Sequence, residues 1–375
     1  MTQQSSAQTS SDKTAAENKK AAENFSPRGL ATLIGSLPVP DHAKGLDLIN
    51  RYTPEIPLWP QLPGNPREGM LVQFMEGMVG LVEGERTYFD TTGDFDEKLL
   101  PFFEEFLAVS EDPDALINSR FAISRERAGG LYLLKDAVAA STRAEAVKGQ
   151  ITGPFTTLTG LQDQDQRLSY YNPSLREMIV QGLAMKGAWQ VNFLKQTGLP
   201  VLVFIDEPAL AGLGSSSYIT IAQEDIAEDL NQVAGAIRGA GGLAGVHVCA
   251  NTEWNLLLTG SIDIISFDAY NFFDRFITCR SQIHSYLERG GILAWGIVPT
   301  SEEDKIIAES TESLTARWEA QAAELSTGRW TIPAILEQSL ITPSCGTGSL
   351  APELAEKVLT LTSEVSAALR RKYLS

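Results

Sequence analysis

His247 and Cys249 stand two residues apart in Val246-His247-Val248-Cys249-Ala250. On a β-strand, residues at that spacing point to the same face. An imidazole and a thiolate aimed at one point make half of a zinc site. Packing at a strand end is the alternative reading, and the pair alone leaves both open. Cys345, in Thr342-Pro343-Ser344-Cys345-Gly346, closes another apolar run and adds a third soft ligand if the fold brings the two ends together. Asp268, at the end of Ile264-Ile265-Ser266-Phe267-Asp268, is a candidate fourth ligand, with a helix N-cap as its alternative. Cys279 and His284 are five apart in a helical stretch, share no face well and read as structural. His42, beside Asp41, reads as a surface residue.

Two more groups have functional potential. Asp206 and Glu207 end the apolar run Pro200–Asp206 and together imply a cationic partner, such as a substrate ammonium. A helix start with Pro208 in its first turn is the plainer reading. Ile34-Gly35-Ser36 combines close backbone approach with a hydroxyl and an amide, which suits a carboxylate, or else is an ordinary strand-end turn. An ammonium site at Asp206 and a carboxylate site at Ser36 would jointly hold an α-amino acid.

These residues need a scaffold that gathers strand ends. Seven short apolar runs read as buried parallel strands: Leu30–Ser36, Ala146–Thr152, Pro200–Asp206, Ala244–Cys249, Ile262–Asp268, Ile292–Val298 and Leu340–Cys345. Between them, three- and four-residue apolar spacing predicts helices over Asp41–Tyr52, Pro66–Val79, Pro173–Gln196, Ile226–Gly239, Phe273–Glu288, Ser301–Ser326 and Pro352–Tyr373. Gly80–Asp90 reads as a hairpin about Glu83-Gly84, either an eighth strand or an excursion. The alternation is that of an α/β protein. No Gly-rich phosphate fingerprint follows the first strand, and the reactive residues sit at the C-terminal ends of different strands. Both points favour a (β/α)8 TIM barrel over an open doubly wound sheet. The expected organisation is a disordered polar tail over 1–25 and one barrel domain over 26–375.

Composition narrows the partners. Thirty Lys and Arg against 47 Asp and Glu leave a net charge of −17, which disfavours nucleic acid and anionic membranes. Three Cys make a poor disulfide framework and fit a reducing, cytoplasmic setting. No run is apolar for long enough to span a bilayer, and the tail is not a signal peptide.

In this order, Ile34-Gly35-Ser36-Leu37-Pro38, Ile151-Thr152-Gly153-Pro154, Ile205-Asp206-Glu207-Pro208-Ala209-Leu210, His247-x-Cys249, a strand-end acid and Pro343-x-Cys345-Gly346 resemble the catalytic barrel of cobalamin-independent methionine synthases. The wider group contains uroporphyrinogen decarboxylase and the methylcobamide:thiol methyltransferases. The resemblance runs from about Leu30 to the C-terminus. It implies a methyltransferase with Zn2+ on His247, Cys249, Cys345 and Asp268. It places the homocysteine carboxylate at Ile34, Gly35 and Ser36 and its ammonium at Asp206. The family has Glu where Asp268 stands, and Glu again where Gln73 stands, so Gln73 is a weaker ammonium partner.

Departures concern the methyl donor. Full-length members carry an N-terminal barrel that helps bind polyglutamylated folate, for which these residues hold no counterpart. Gly160 stands where the family has a Trp that stacks on the pterin. Val298-Pro299 stands where it has a His linked to protonation of departing folate. The expected donor is therefore methylcobalamin or a methylated corrinoid protein, as for short "core" methionine synthases. The stretch Pro57–Pro63 is a candidate lining for the mouth that admits it. Rival readings are a methyltransferase for another thiol, such as coenzyme M, a metal-free decarboxylase, and a non-catalytic binding barrel.

Overall fold

The computed structural model describes residues 25–214 and 218–374. The tail expected over 1–25 lies outside the described residues except for Phe25, which packs against the apolar interior.

All seven apolar runs form strands of one parallel sheet. In chain order its members are β1 (Leu30–Ala31), β4 (Val147–Thr152), β5 (Val201–Asp206), β6 (Leu243–Val248), β7 (Ile264–Phe267), β8 (Ile292–Val298) and β9 (Ser339–Pro343). The hairpin is an excursion: β2 (Leu81–Val82) and β3 (Tyr88–Phe89) make a separate antiparallel pair. The large sheet runs β1-β9-β8-β7-β6-β5-β4 and curls into a half-barrel with helices on its outer face. The expected eight-stranded barrel is met only in part, because regular pairing ends at β1 and β4. Between those edges runs segment 55–61, which makes only isolated bridges, Leu58 to Lys148 and Ser36 to Gln61. Pro57 and Pro60 have no N–H to donate, so no continuous ladder can form there.

Register fixes which side chains share the concave face. Asp206 pairs with His247, His247 with Ser266, Ser266 with Ala294, Ala294 with Leu340, and Leu340 with Leu30. The interior is closed by strand residues, among them Leu30, Leu202, Phe204, Ile264, Ile292 and Leu340, together with Ile56 and Ala146. The opposite faces of the strands pack on the helices in a larger core that includes Val203, Val246, Phe267 and Trp295.

Helix boundaries depart from the periodic pattern where turn chemistry intervenes. Pro66–Val79 yields only a 3-10 turn at Pro66–Glu68. Gly77, at φ +82°, lies so close to the Arg120 carbonyl that an added Cβ would sit 2.5 Å from its oxygen. Phe273–Glu288 splits into Ala269–Phe276 and Arg280–Glu288. Ser301–Ser326 splits into Glu303–Ala308 and Thr311–Leu325, the latter started by a Ser310–Ser313 capping box. Helices at Phe95–Glu111, Gly129–Ala139 and Pro154–Gly160 lacked a clear sequence signal. Among the described residues no helix is long and apolar enough to cross a membrane.

Candidate functional site

His247 lies on the concave face of β6, and Cys249 follows one residue beyond that strand's end. Cys345 follows β9 by two residues. One ligand atom each from His247, Cys249 and Cys345 falls within 4.8 Å of the others. The imidazole is held from behind, with Nδ1 3.0 Å from the Ser266 hydroxyl. Its Nε2 is buried without a partner, a position that suits a ligand atom.

The cysteines are electrostatically linked. The Cys249 thiol is pulled well below its usual range, first by its hydrogen bond with Cys345 and further by His247, against the opposing effect of burial. Cys345 is pushed up by the same hydrogen bond and by burial. Two cysteine sulfurs and an imidazole make a donor set that fits a soft or borderline divalent metal.

Ser36 anchors the loop that carries Cys345. Its carbonyl accepts from the Thr347 N–H and hydroxyl, and its Oγ accepts from the Gly348 N–H. A Cβ at Gly346 would collide with the Ser36 Oγ, so the loop can approach this closely only with glycine there. Ile34 and Gly35 precede it on the turn beyond β1, and the buried Lys148 ammonium donates to the Ile34 carbonyl at 2.6 Å.

Asp206 neighbours His247 in the strand register. Burial raises its carboxyl to about 6, while His247 and Lys148 pull it down and Cys249 pushes it up. Its Oδ1 is buried and unpaired.

Other expected site residues do other work. Asp268 lies outside the His-Cys-Cys cluster and caps the helix Ala269–Phe276, accepting from the Asn271 N–H at 2.9 Å and side chain at 2.7 Å. Glu207 is fully buried, and its carboxylate accepts from the N–H groups of Phe155 and Thr156 and from the Thr156 hydroxyl. Burial pushes it up to about 7 against those bonds. It ties β5 to the helix Pro154–Gly160 through these three bonds. Gln73 is fully buried with its amide engaged at both ends: it accepts from Gln61 and donates to the Arg127 carbonyl, each at 2.6 Å. Pro57–Pro63 does not line a mouth, since Leu58 and Trp59 are fully buried in the joint between sheet edges. His42 is tied to the buried Glu68 at 2.6 Å. Cys279 and His284 are structural as expected: Cys279 packs against the outer core and His284 bonds the Leu325 carbonyl.

The sequence reading missed Ser266, Lys148 and Gln150. Their signal was present: Val147-Lys148-Gly149-Gln150-Ile151-Thr152 alternates polar and apolar residues, which sends Lys148, Gln150 and Thr152 to one face. A cavity of about 350 Å³ lies at the other end of the strands, lined by Arg238, Asp263 and Arg289 among others. Its arginines are already bonded to the Ser261 and Gly260 carbonyls, and it is remote from the cysteines.

No protein-family model and no curated protein sequence matches the chain. Likeness to solved structures is distant. A Listeria monocytogenes protein provisionally assigned as a vitamin-B12-independent methionine synthase is 15% identical over 79% of this chain and 77% of its own, with a TM-score of 0.44. The GH20 catalytic modules of the pneumococcal exo-β-D-N-acetylglucosaminidase StrH are 11% identical over 90% of this chain and 85% of theirs, with a TM-score of 0.46. Likeness this distant does not bear on activity.

Proposed function

We propose that the chain is a zinc-dependent methyltransferase that moves a methyl group to the thiol of a small amino acid, homocysteine, forming methionine. The observation that carries this reading is the convergence of His247, Cys249 and Cys345 with the buried His247 Nε2 left unpaired. Zinc held by these three residues would supply a Lewis acid that keeps a thiol ionised at neutral pH.

The chain's own residues provide the rest. Ser266 engages Nδ1 of His247, and Nε2 is left without a partner. Ser36 fixes the Cys345 loop through Thr347 and Gly348, and with Ile34 and Gly35 it forms the turn assigned to the substrate carboxylate. Asp206, buried beside His247 with a free oxygen, is assigned to the ammonium. Asp268 is left to its cap, so an incoming thiol would face a site of three protein ligands.

The proposed donor is methylcobalamin or a methylated corrinoid protein. Leu71 fills the space beside Gly160, where an added Cβ would lie 2.6 Å from its side chain, so no ring can be presented from that position without displacing it. Val298 is fully buried and non-ionisable. A methyl group leaving cobalt requires no proton for the departing Co(I), which suits a site without an acid there.

The test is zinc analysis together with methionine formation from methylcobalamin and homocysteine, with Cys345→Ser in parallel. About one zinc per chain and an activity lost in the variant support the reading. Zinc without turnover moves the acceptor to another thiol or the donor to another methyl carrier. Neither zinc nor activity overturns the metal site.

A further inference from the structure

Gln150 has the properties the expected partner Gln73 lacks. Gln73 is the poorer partner for a substrate ammonium, because its carbonyl oxygen already accepts from Gln61 and its amide nitrogen donates to the Arg127 carbonyl. Gln150 is also fully buried, but it is only half satisfied. Its Nε2 donates to the Trp59 carbonyl at 2.9 Å. That contact sets the amide's orientation, because only the NH2 end can face a carbonyl. Oε1 is left buried with no partner.

Position gives this orphan a direction. Thr152 pairs with Asp206, and Gln150 precedes Thr152 by two residues, so all three share the concave face of neighbouring strands. Two buried acceptors, Gln150 Oε1 and Asp206 Oδ1, thus stand unpaired on one wall. Unpaired buried acceptors cost stability, and a ligand carrying donors relieves that cost. An ammonium group, with three N–H donors, has the donors to satisfy two such acceptors.

The wall is also sorted by charge. Lys148 shares the inner face of β4, but its ammonium is drawn to the Ile34 carbonyl at 2.6 Å and lies 4.5 Å from the centre of the Phe204 ring. The wall's cation is therefore tied to the turn assigned to the substrate carboxylate. Gln150, on the same strand, keeps its Oε1 free, and Asp206 on the neighbouring β5 keeps its Oδ1 free.

We propose that Gln150 is a specificity-determining residue that binds the amino group of the acceptor thiol together with Asp206. This rests on the amino-acid acceptor assigned above. The experiment is calorimetric binding of homocysteine and of 4-mercaptobutyrate, the same thiol acid without its amine, to wild type, Gln150→Leu and Gln150→Glu. Zinc content and thermal melts check each protein. Wild type should prefer homocysteine by about tenfold or more, and Gln150→Leu should lose about tenfold in homocysteine affinity while leaving 4-mercaptobutyrate unchanged. Gln150→Glu, similar in shape and negatively charged, should widen the preference, and it keeps the test decisive if the Leu variant folds poorly. Equal losses for both ligands, or no loss for either, overturn the role of Gln150 while wild-type preference preserves the amino-acid reading. A wild type that binds homocysteine but does not distinguish the two ligands overturns the amino-acid acceptor, and the Gln150 role falls with it.

Discussion

The concave face of the sheet has a floor and a rim built from the same strands. The floor is apolar: Leu30, Ile56, Ala146, Leu202, Phe204, Ile264, Ile292 and Leu340 fill it with almost no exposed surface. The rim carries His247, Cys249, Cys345 and Asp206, with Gln150 level with Phe204 just beneath, and this zone leaves His247 Nε2, Asp206 Oδ1, Gln150 Oε1 and Thr342 Oγ1 buried and unpaired. A floor of this kind stabilises, and a rim of this kind costs stability in exchange for binding capacity. The strands separate the two demands along their length, so substitutions in the two zones should have different signatures.

The sharpest break is at the rim. Cys345→Ser should lower zinc affinity by about a thousandfold or more, measured by competition with a chelating dye, while the melting temperature of the metal-free protein changes little. Leu202→Ala, in the floor, should do the opposite: a loss of roughly 2–5 kcal/mol in denaturant unfolding with zinc stoichiometry intact. Loss of metal in the second variant would end the separation of roles.

Lys186 sharpens the comparison from a third place. It is fully buried on the helix Pro173–Leu194, with its ammonium unpartnered. Burial lowers its pKa to about 7. Lys186→Met should stabilise the fold by roughly 2–4 kcal/mol at pH 6. Below pH 7 both folded and unfolded chains carry the charge, so the penalty is fully present. Between pH 7 and 10.5 the folded lysine sheds its proton while the unfolded one keeps it, so wild type should gain on the variant as pH rises. A constant difference across that window would show that Lys186 has another partner. The smallest effect is expected at Ser266→Ala, which frees Nδ1 of His247 and should weaken zinc binding by about tenfold.

The strands were legible because fully buried parallel strands read as continuous apolar runs; six of the seven were placed within a few residues, while Leu30–Ser36 pairs only over Leu30–Ala31. The His247, Cys249 and Cys345 cluster was legible for the same reason, since each residue marks a strand end. What escaped the sequence depends on long-range partners. Asp268 as ligand and Asp268 as cap look identical until Asn271 is seen to take its carboxylate. Glu207 looked available until Thr156 and the N–H of Phe155 surrounded it. The periodic pattern over Pro66–Val79 was overridden by the backbone contact between Gly77 and Arg120.

The joint at segment 55–61 has a consequence for amide exchange. The ladders from β5 to β8 protect their N–H groups on both sides, whereas the joint is held by scattered backbone bonds: the Gln61 N–H donates to the Gly35 carbonyl at 3.0 Å, the Leu37 N–H to the Gln61 carbonyl at 3.1 Å and the Lys148 N–H to the Pro57 carbonyl at 2.9 Å. Deuterium should therefore enter first along this line, at free energies below that of global unfolding. The curled sheet would breathe there like a clasp, beside Gly35 and Gln150, while the strands bearing His247 and Cys249 stay closed.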